Sequence, residues 1–186
     1  CKACDSSLPR LPEQHCSSCL LPVTSARICG ACLHNPPVWT DATAALRYTF
    51  PADAMIQALK YRPDLTLVPV LGECLLAAIS PLPVLPDYII PVPIHTARLR
   101  QRGFNQALEI SRYLCRKTGG ILLSDACSRN RNTPSQTELP WRERHKNVRG
   151  AFVCQRNLAG KHIAIVDDVM TSGATLNELS KVLKRQ

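Results

Sequence analysis

The stretch "IAIVDDVMTSGAT", residues 163–175, decides how this sequence is read. Residues 163–166 are an unbroken apolar run, the pattern of a strand buried on both faces of a parallel sheet. Two adjacent carboxylates, Asp167 and Asp168, close the run. A loop with Thr171, Ser172, Gly173, Ala174 and Thr175 follows, and Leu176, Leu179 and Leu183 then recur at helical spacing. Thr175 and Glu178 fit a capping box, which puts a helix N-terminus at the loop. In open α/β sheets such a loop lies beyond the carboxyl ends of the strands, where ligands bind.

The residue types point to a divided ligand. Backbone N–H groups, three hydroxyls and the helix dipole favour a phosphate at residues 171–175, and Gly173 supplies the freedom for a tight curl. Carboxylates repel phosphate, so Asp167 and Asp168 need another partner. Sugar hydroxyls fit, because hydrogen bonds to a charged acceptor are the stronger ones. A ribose 5-phosphate lying along the loop uses both halves. If a leaving group departs from its anomeric carbon, the same carboxylates stabilise the developing positive charge. A capped strand–turn–helix with two solvated acids is the plain alternative. The metal-binding acid of a nucleotide triphosphatase is a rival, but it requires a G-x-x-x-x-G-K-[ST] loop, which the chain lacks.

Outward from this stretch, the patterns predict a strand at 44–50, a helix at 52–62 with Met55, Ile56 and Leu59, and a helix at 68–79 with Pro69 in its first turn. A strand at 87–93 follows, then a helix over 104–120 with Phe104, Leu108, Ile110 and Leu114 inward and a glycine stop. Further strands are expected at 121–127, 151–154 and 162–166. Strands alternating with helices imply an α/β domain, a mostly parallel sheet with helices on both faces.

The chain has 186 residues, 23 Lys and Arg against 14 Asp and Glu, and a formal net charge of +9. That balance suits nucleic acid, a phosphorylated small molecule or a membrane surface. No membrane span is expected: the greasiest stretch, 67–85, is broken by Pro69, Gly72, Glu73, Pro81 and Pro83. No secretory signal is seen. The start at Cys1 without Met and the end in "LSKVLKRQ", read as helix interior, give the expectation that both ends are trimmed.

Of the 10 cysteines, six form CxxC pairs: Cys1/Cys4, Cys16/Cys19 and Cys29/Cys32. Cys74, Cys115, Cys127 and Cys154 are scattered and read as small core residues. Tight CxxC pairs without a secretory signal favour a reducing cytoplasm and metal ligation, with redox-active CxxC as the alternative. A four-ligand structural zinc site consumes two pairs and leaves one over. Residues 1–38 therefore read as a small Cys-rich zinc-binding module, joined through the stiff "HNPPVW" (34–39) to a domain spanning 39–186.

The chain resembles a known family. "IAIVDDVMTSGAT" is similar to the phosphoribosyl diphosphate (PRPP) signature of type I phosphoribosyltransferases. "IIPVPIHTARLRQRGFNQA" (89–107), "RNTPSQTELPWRERHKNVRGAF" (131–152) and three CxxC pairs ahead of "NPP" resemble the ComF competence-protein family, which includes GntX-like proteins. The resemblance covers essentially the whole chain. It implies a type I phosphoribosyltransferase fold behind a zinc module. PRPP would be held by Asp167 and Asp168 at the ribose and by Thr171, Ser172, Gly173, Ala174 and Thr175 at the 5-phosphate. His95, Arg98 and Arg102 would face the pyrophosphate, accompanied by Mg²⁺, and residues 131–147 would form a hood over the site.

The family pattern pairs Cys16, Cys19, Cys29 and Cys32 in one zinc site, and Cys1 and Cys4 in a second with partners upstream. The implied activity is transfer of ribose 5-phosphate to an unidentified acceptor. The alternative is a single-stranded DNA-handling factor of DNA-uptake machinery that uses PRPP for sensing or not at all. Two features depart from the pattern: the knuckle Cys16-Ser-Ser-Cys19-Leu20 lacks the common Pro and Gly, and the last strand of the fold is missing. The basic residues Arg98, Arg100 and Arg102, with Arg129, Arg131, Arg142, Arg144, Lys146 and Arg149, read as a lid on PRPP, a nucleic-acid groove or a solvated face.

Overall fold

The computed structural model describes residues 1–133 and 146–186. Trp141, Arg142, Arg144 and most of the expected hood lie outside the described residues. Contacts divide the chain into two compact units, Cys1–Pro83 and Val84–Gln186.

The first unit is helical and loop-built. Short helices α1 (Lys2–Ser6) and α2 (Gly30–His34) punctuate the Cys-rich segment; α3 (Ala52–Tyr61) and α4 (Leu67–Ile79) follow. Helix α3 buries Ala52, Ile56 and Leu59, and α4, packed against it, buries Val68, Leu71 and Cys74. Pro69 is tolerated because the first N–H groups of a helix have no intrahelical acceptor.

The strand expected at 44–50 does not form; these residues are bends and turns. Their backbone bonds run to the Cys-rich loops instead. Arg47 N–H donates to the Pro9 carbonyl at 2.7 Å and, just before the stretch, Ala42 N–H donates to the Ser17 carbonyl at 3.3 Å. Just upstream, the Trp39 indole N–H donates to the Ser18 carbonyl at 2.9 Å. The β-forming composition was real, but among the described residues of this unit no strand offers a sheet edge to pair with.

The second unit is an α/β fold with a small parallel sheet. Its strands are β1 (Tyr88–Pro91), β2 (Ile121–Leu122) and β5 (Ile163–Val166), in the order β2-β1-β5. Between β1 and β2 lie α5 (Thr96–Arg102) and α6 (Gln106–Thr118). Strands β3 (Cys127–Arg129) and β4 (Phe152–Cys154) form a separate antiparallel pair, and α7 (Ala174–Leu183) follows β5.

The single strand expected over 121–127 is thus broken into β2 and the start of β3, in different sheets. The break falls around Asp125, whose carboxylate binds Arg156 at 2.7 Å. Helix α6 lies against all three parallel strands and ends on Gly119, at φ 73°. On the other side, Ile90, Val92, Ala126, Cys127, Ala151, Phe152, Leu158 and Leu179 make the core, with Leu176 and Leu183 packed on it. The three leucines read as the inward face of α7 therefore do face the core.

Candidate functional site

The site follows from strand order. From β1 the chain crosses to β2 on one side, then returns to β5 on the other side of β1. The loops leaving β1 and β5 diverge at this reversal, and in open sheets that divergence opens a crevice at the carboxyl edge. Pro91 pairs with Val166, and Val92 N–H donates to the Val166 carbonyl at 2.8 Å. Asp167 and Asp168 therefore start level with the segment that leads through His95 into α5.

Both carboxylates are half-buried, and Asp167 Oδ1 accepts the Asp168 N–H at 2.9 Å. The loop then curls through Thr171 and Ser172 to Gly173, which sits at φ 68° and is the N-cap of α7. The expected Thr175/Glu178 capping box is therefore wrong: the helix starts a residue before Thr175. A left-handed glycine lets the chain turn into the helix early, and the Glu178 carboxylate is left to accept Gly150 N–H at 2.7 Å. Gly173 brings no side chain of its own to the N-terminus of α7, and Ala174 N–H donates to Ser172 Oγ at 3.4 Å.

On the β1 side, His95 caps α5, its Nδ1 accepting from Ala97 N–H at 3.2 Å. The "RGFNQA" motif is a helix corner. Gly103, at φ 85°, ends α5, and Asn105 begins α6 by accepting Ala107 N–H at 3.1 Å. The Asn105 amide also donates to the Val92 carbonyl at 3.0 Å, fixing α6 to the end of β1. Arg102 donates to Gln106 Oε1 at 2.9 Å, so it braces this corner. Arg98 reaches the other way, to the Thr133 carbonyl at 2.6 Å.

Sequence reasoning left one residue inside a general basic stretch. Arg129, at the end of β3, stacks on the Phe152 ring at 5.5 Å and donates to Thr133 Oγ1 at 2.5 Å. Thr133 is buried and so joins Arg98 and Arg129. Burial holds Arg129 below the usual guanidinium range, Arg98 adds to that, and the Asp167 carboxylate opposes it. The group thus lies within electrostatic reach of both sides of the crevice. Its Nε and the buried Gln106 Nε2 have no hydrogen-bond partner among the described residues. The alternation of Arg129 with buried Cys127 was the available signal.

The cysteine module gathers its ligands without help from the sheet. The sulfurs of Cys16, Cys19, Cys29 and Cys32 all lie within 4.8 Å of one another, a set that could hold a metal ion. Cys19 and Cys29 Sγ are 3.6 Å apart, against about 3.8 Å across a tetrahedral site with metal–sulfur bonds of about 2.3 Å. Burial pushes the Cys16 thiol up, but the N–H groups of Cys29, Cys19 and Ser18 outweigh it and bring it down to about 6. Burial, then the neighbouring Cys19, Cys29 and Cys16, pushes Cys32 well up. Cys1 and Cys4 stand apart from this set, 3.5 Å from each other and exposed.

The class these features define is an α/β protein with a small parallel sheet and a four-cysteine cluster suited to a metal. No family model matches the chain. It is 34% identical over 191 residues to the DNA utilization protein YhgH of Escherichia coli O157:H7, covering all of this chain and 84% of that protein. It is 32% identical over 194 residues to Competence protein F of Haemophilus influenzae, with the same coverage. To Competence protein ComFC of Streptococcus pneumoniae it is 25% identical over 196 residues, covering 99% of this chain and 80% of that one. The chain belongs to the ComF family. Among the described residues no helix is long and apolar enough to cross a membrane.

Proposed function

We propose that the chain binds PRPP at the carboxyl edge of its parallel sheet and transfers ribose 5-phosphate to an acceptor. The observation that carries this reading is the Asp167–Asp168 pair at the strand-order reversal, followed by a helix N-terminus whose N-cap is the left-handed Gly173. The two acids would accept hydrogen bonds from the ribose 2- and 3-hydroxyls. The turn Thr171–Thr175 would receive the 5-phosphate. Arg98 and Arg129, joined through Thr133, would face the pyrophosphate with His95, and Mg²⁺ would travel with it. Arg102 is better used as a brace than as a ligand. As the pyrophosphate departs, the half-buried carboxylates would stabilise positive charge at the anomeric carbon. Residues 39–186 would then be the phosphoribosyltransferase-like part. The four-cysteine cluster would hold structural zinc, with Cys1 and Cys4 supplying half of a second site.

A second reading has its own support. The relatives are named for DNA utilization and competence, and the net charge of +9 suits a polyanion. Single-stranded DNA would then be the partner, with PRPP a signal. Pyrophosphate release from PRPP, assayed with and without nucleobases and single-stranded DNA, separates the two. Acceptor-dependent release supports transfer, whereas PRPP binding with no release under any condition supports sensing.

A further inference from the structure

The register of β3 and β4 sets Cys127 directly opposite Cys154. The flanking bonds decide what kind of rung this is. Asn130 N–H donates to the Ala151 carbonyl and Gln155 N–H to the Ala126 carbonyl, each at 3.0 Å. Bonded and non-bonded pairs alternate along an antiparallel ladder. Cys127–Cys154 and Arg129–Phe152 are therefore the non-hydrogen-bonded rungs, and the Arg129 guanidinium lying over the Phe152 ring agrees with that. On such a rung the Cα atoms lie about 4.5 Å apart and the side chains share one face. A disulfide spans Cα separations of about 4.4–6.8 Å, so these thiols can be joined without moving either strand. They already interact: burial, then the adjacent Cys154, pushes the Cys127 thiol up to about 12. Cys127 is buried, while Cys154 is half-buried and offers a route in.

We infer that Cys127 and Cys154 are a dithiol that closes to a cross-strand disulfide by exchange with a small-molecule disulfide such as oxidised glutathione. The Cys154 thiolate attacks one reagent sulfur; the reagent S–S bond breaks, and its first thiol leaves with the proton from Cys154. The Cys127 sulfur then attacks the Cys154 sulfur of the mixed disulfide, and the second reagent thiol leaves with the proton from Cys127. Two protein thiols are oxidised and one reagent disulfide is reduced. The bond would pin β3 to β4 one rung from Arg129. It is independent of what the crevice binds and uses none of the clustered cysteines.

The test is peptide mapping of the folded, metal-loaded protein after incubation with oxidised glutathione and alkylation of remaining thiols. A peptide linking Cys127 to Cys154 is expected, with Cys16, Cys19, Cys29 and Cys32 outside any disulfide. Cys127→Ala should stop at a glutathione adduct on Cys154, and Cys154→Ser, at the more exposed position, should give no link. Retention of the glutathione adduct on Cys154 in the unmutated protein would overturn the inference. So would both thiols remaining free, or either pairing with Cys115. The mapping of the unmutated chain decides even if the Cys127 variant fails to fold.

Discussion

Leu20 holds φ at 64°, a conformation that costs a branched residue about 1–2 kcal/mol, with its side chain buried and its N–H donating to Cys16 at 2.9 Å. This is the knuckle position where the ComF pattern commonly carries Gly. Chemical denaturation should find Leu20→Gly more stable than Leu20→Ala by about 1 kcal/mol, reversing the usual order. Ala the more stable of the two would mean the backbone there is unstrained. Arg129 makes a second test at this scale. Arg129→Ala should weaken PRPP binding by about 1.5–3 kcal/mol, the scale of a hydrogen bond to charge. Arg100→Ala, at an exposed position, should change it little in the same calorimetric titration.

At the scale of elements, the α5–α6 corner rests on Asn105, which caps α6 and holds the Val92 carbonyl. Asn105→Ala should cost about 2 kcal/mol, from a lost cap and a buried carbonyl left without its donor. A lower urea midpoint at unchanged slope would show it; an unchanged midpoint would refute it. The elements legible in the sequence were those whose signal is local. Helices α3, α4 and α6 and strands β1 and β5 came from apolar spacing and glycine stops. Residues 44–50 misled because strand propensity says nothing about whether a neighbouring edge exists. Thr175 and Glu178 misled because the N-cap was set by the left-handed Gly173, and Glu178 was taken by Gly150, a partner far along the chain. The role of Arg129 was hidden for a similar reason. Its stacking, its link to Arg98 and its reach to Asp167 all depend on pairings between distant segments.

For the whole molecule, the four-cysteine cluster lies in one unit and the Asp167–Asp168 loop in the other. The cysteine cluster predicts a structural ion: a Cys16→Ser/Cys29→Ser variant should lose close to one zinc per chain in metal analysis, and unchanged zinc would refute the ligand set. The net charge of +9 bears on DNA. If the basic residues grip single strands, log K should fall with log salt by about 0.7 for each phosphate neutralised. Four contacts would give a slope of about −3. Replacing Arg142, Arg144 and Lys146 together should flatten that slope by about 2 if they touch phosphates. If they cover PRPP, the same change should weaken PRPP binding instead and leave the DNA slope unchanged.

The central claim, that the Asp167–Asp168 loop receives ribose 5-phosphate, is tested most directly by calorimetric titration of PRPP with Mg²⁺ into the unmutated protein, Asp167→Asn and Asp168→Asn. Binding to the unmutated chain, weakened by about 1.5–3 kcal/mol in each variant, is the predicted result. Equal affinity in all three proteins, or no binding to the unmutated chain, would contradict it.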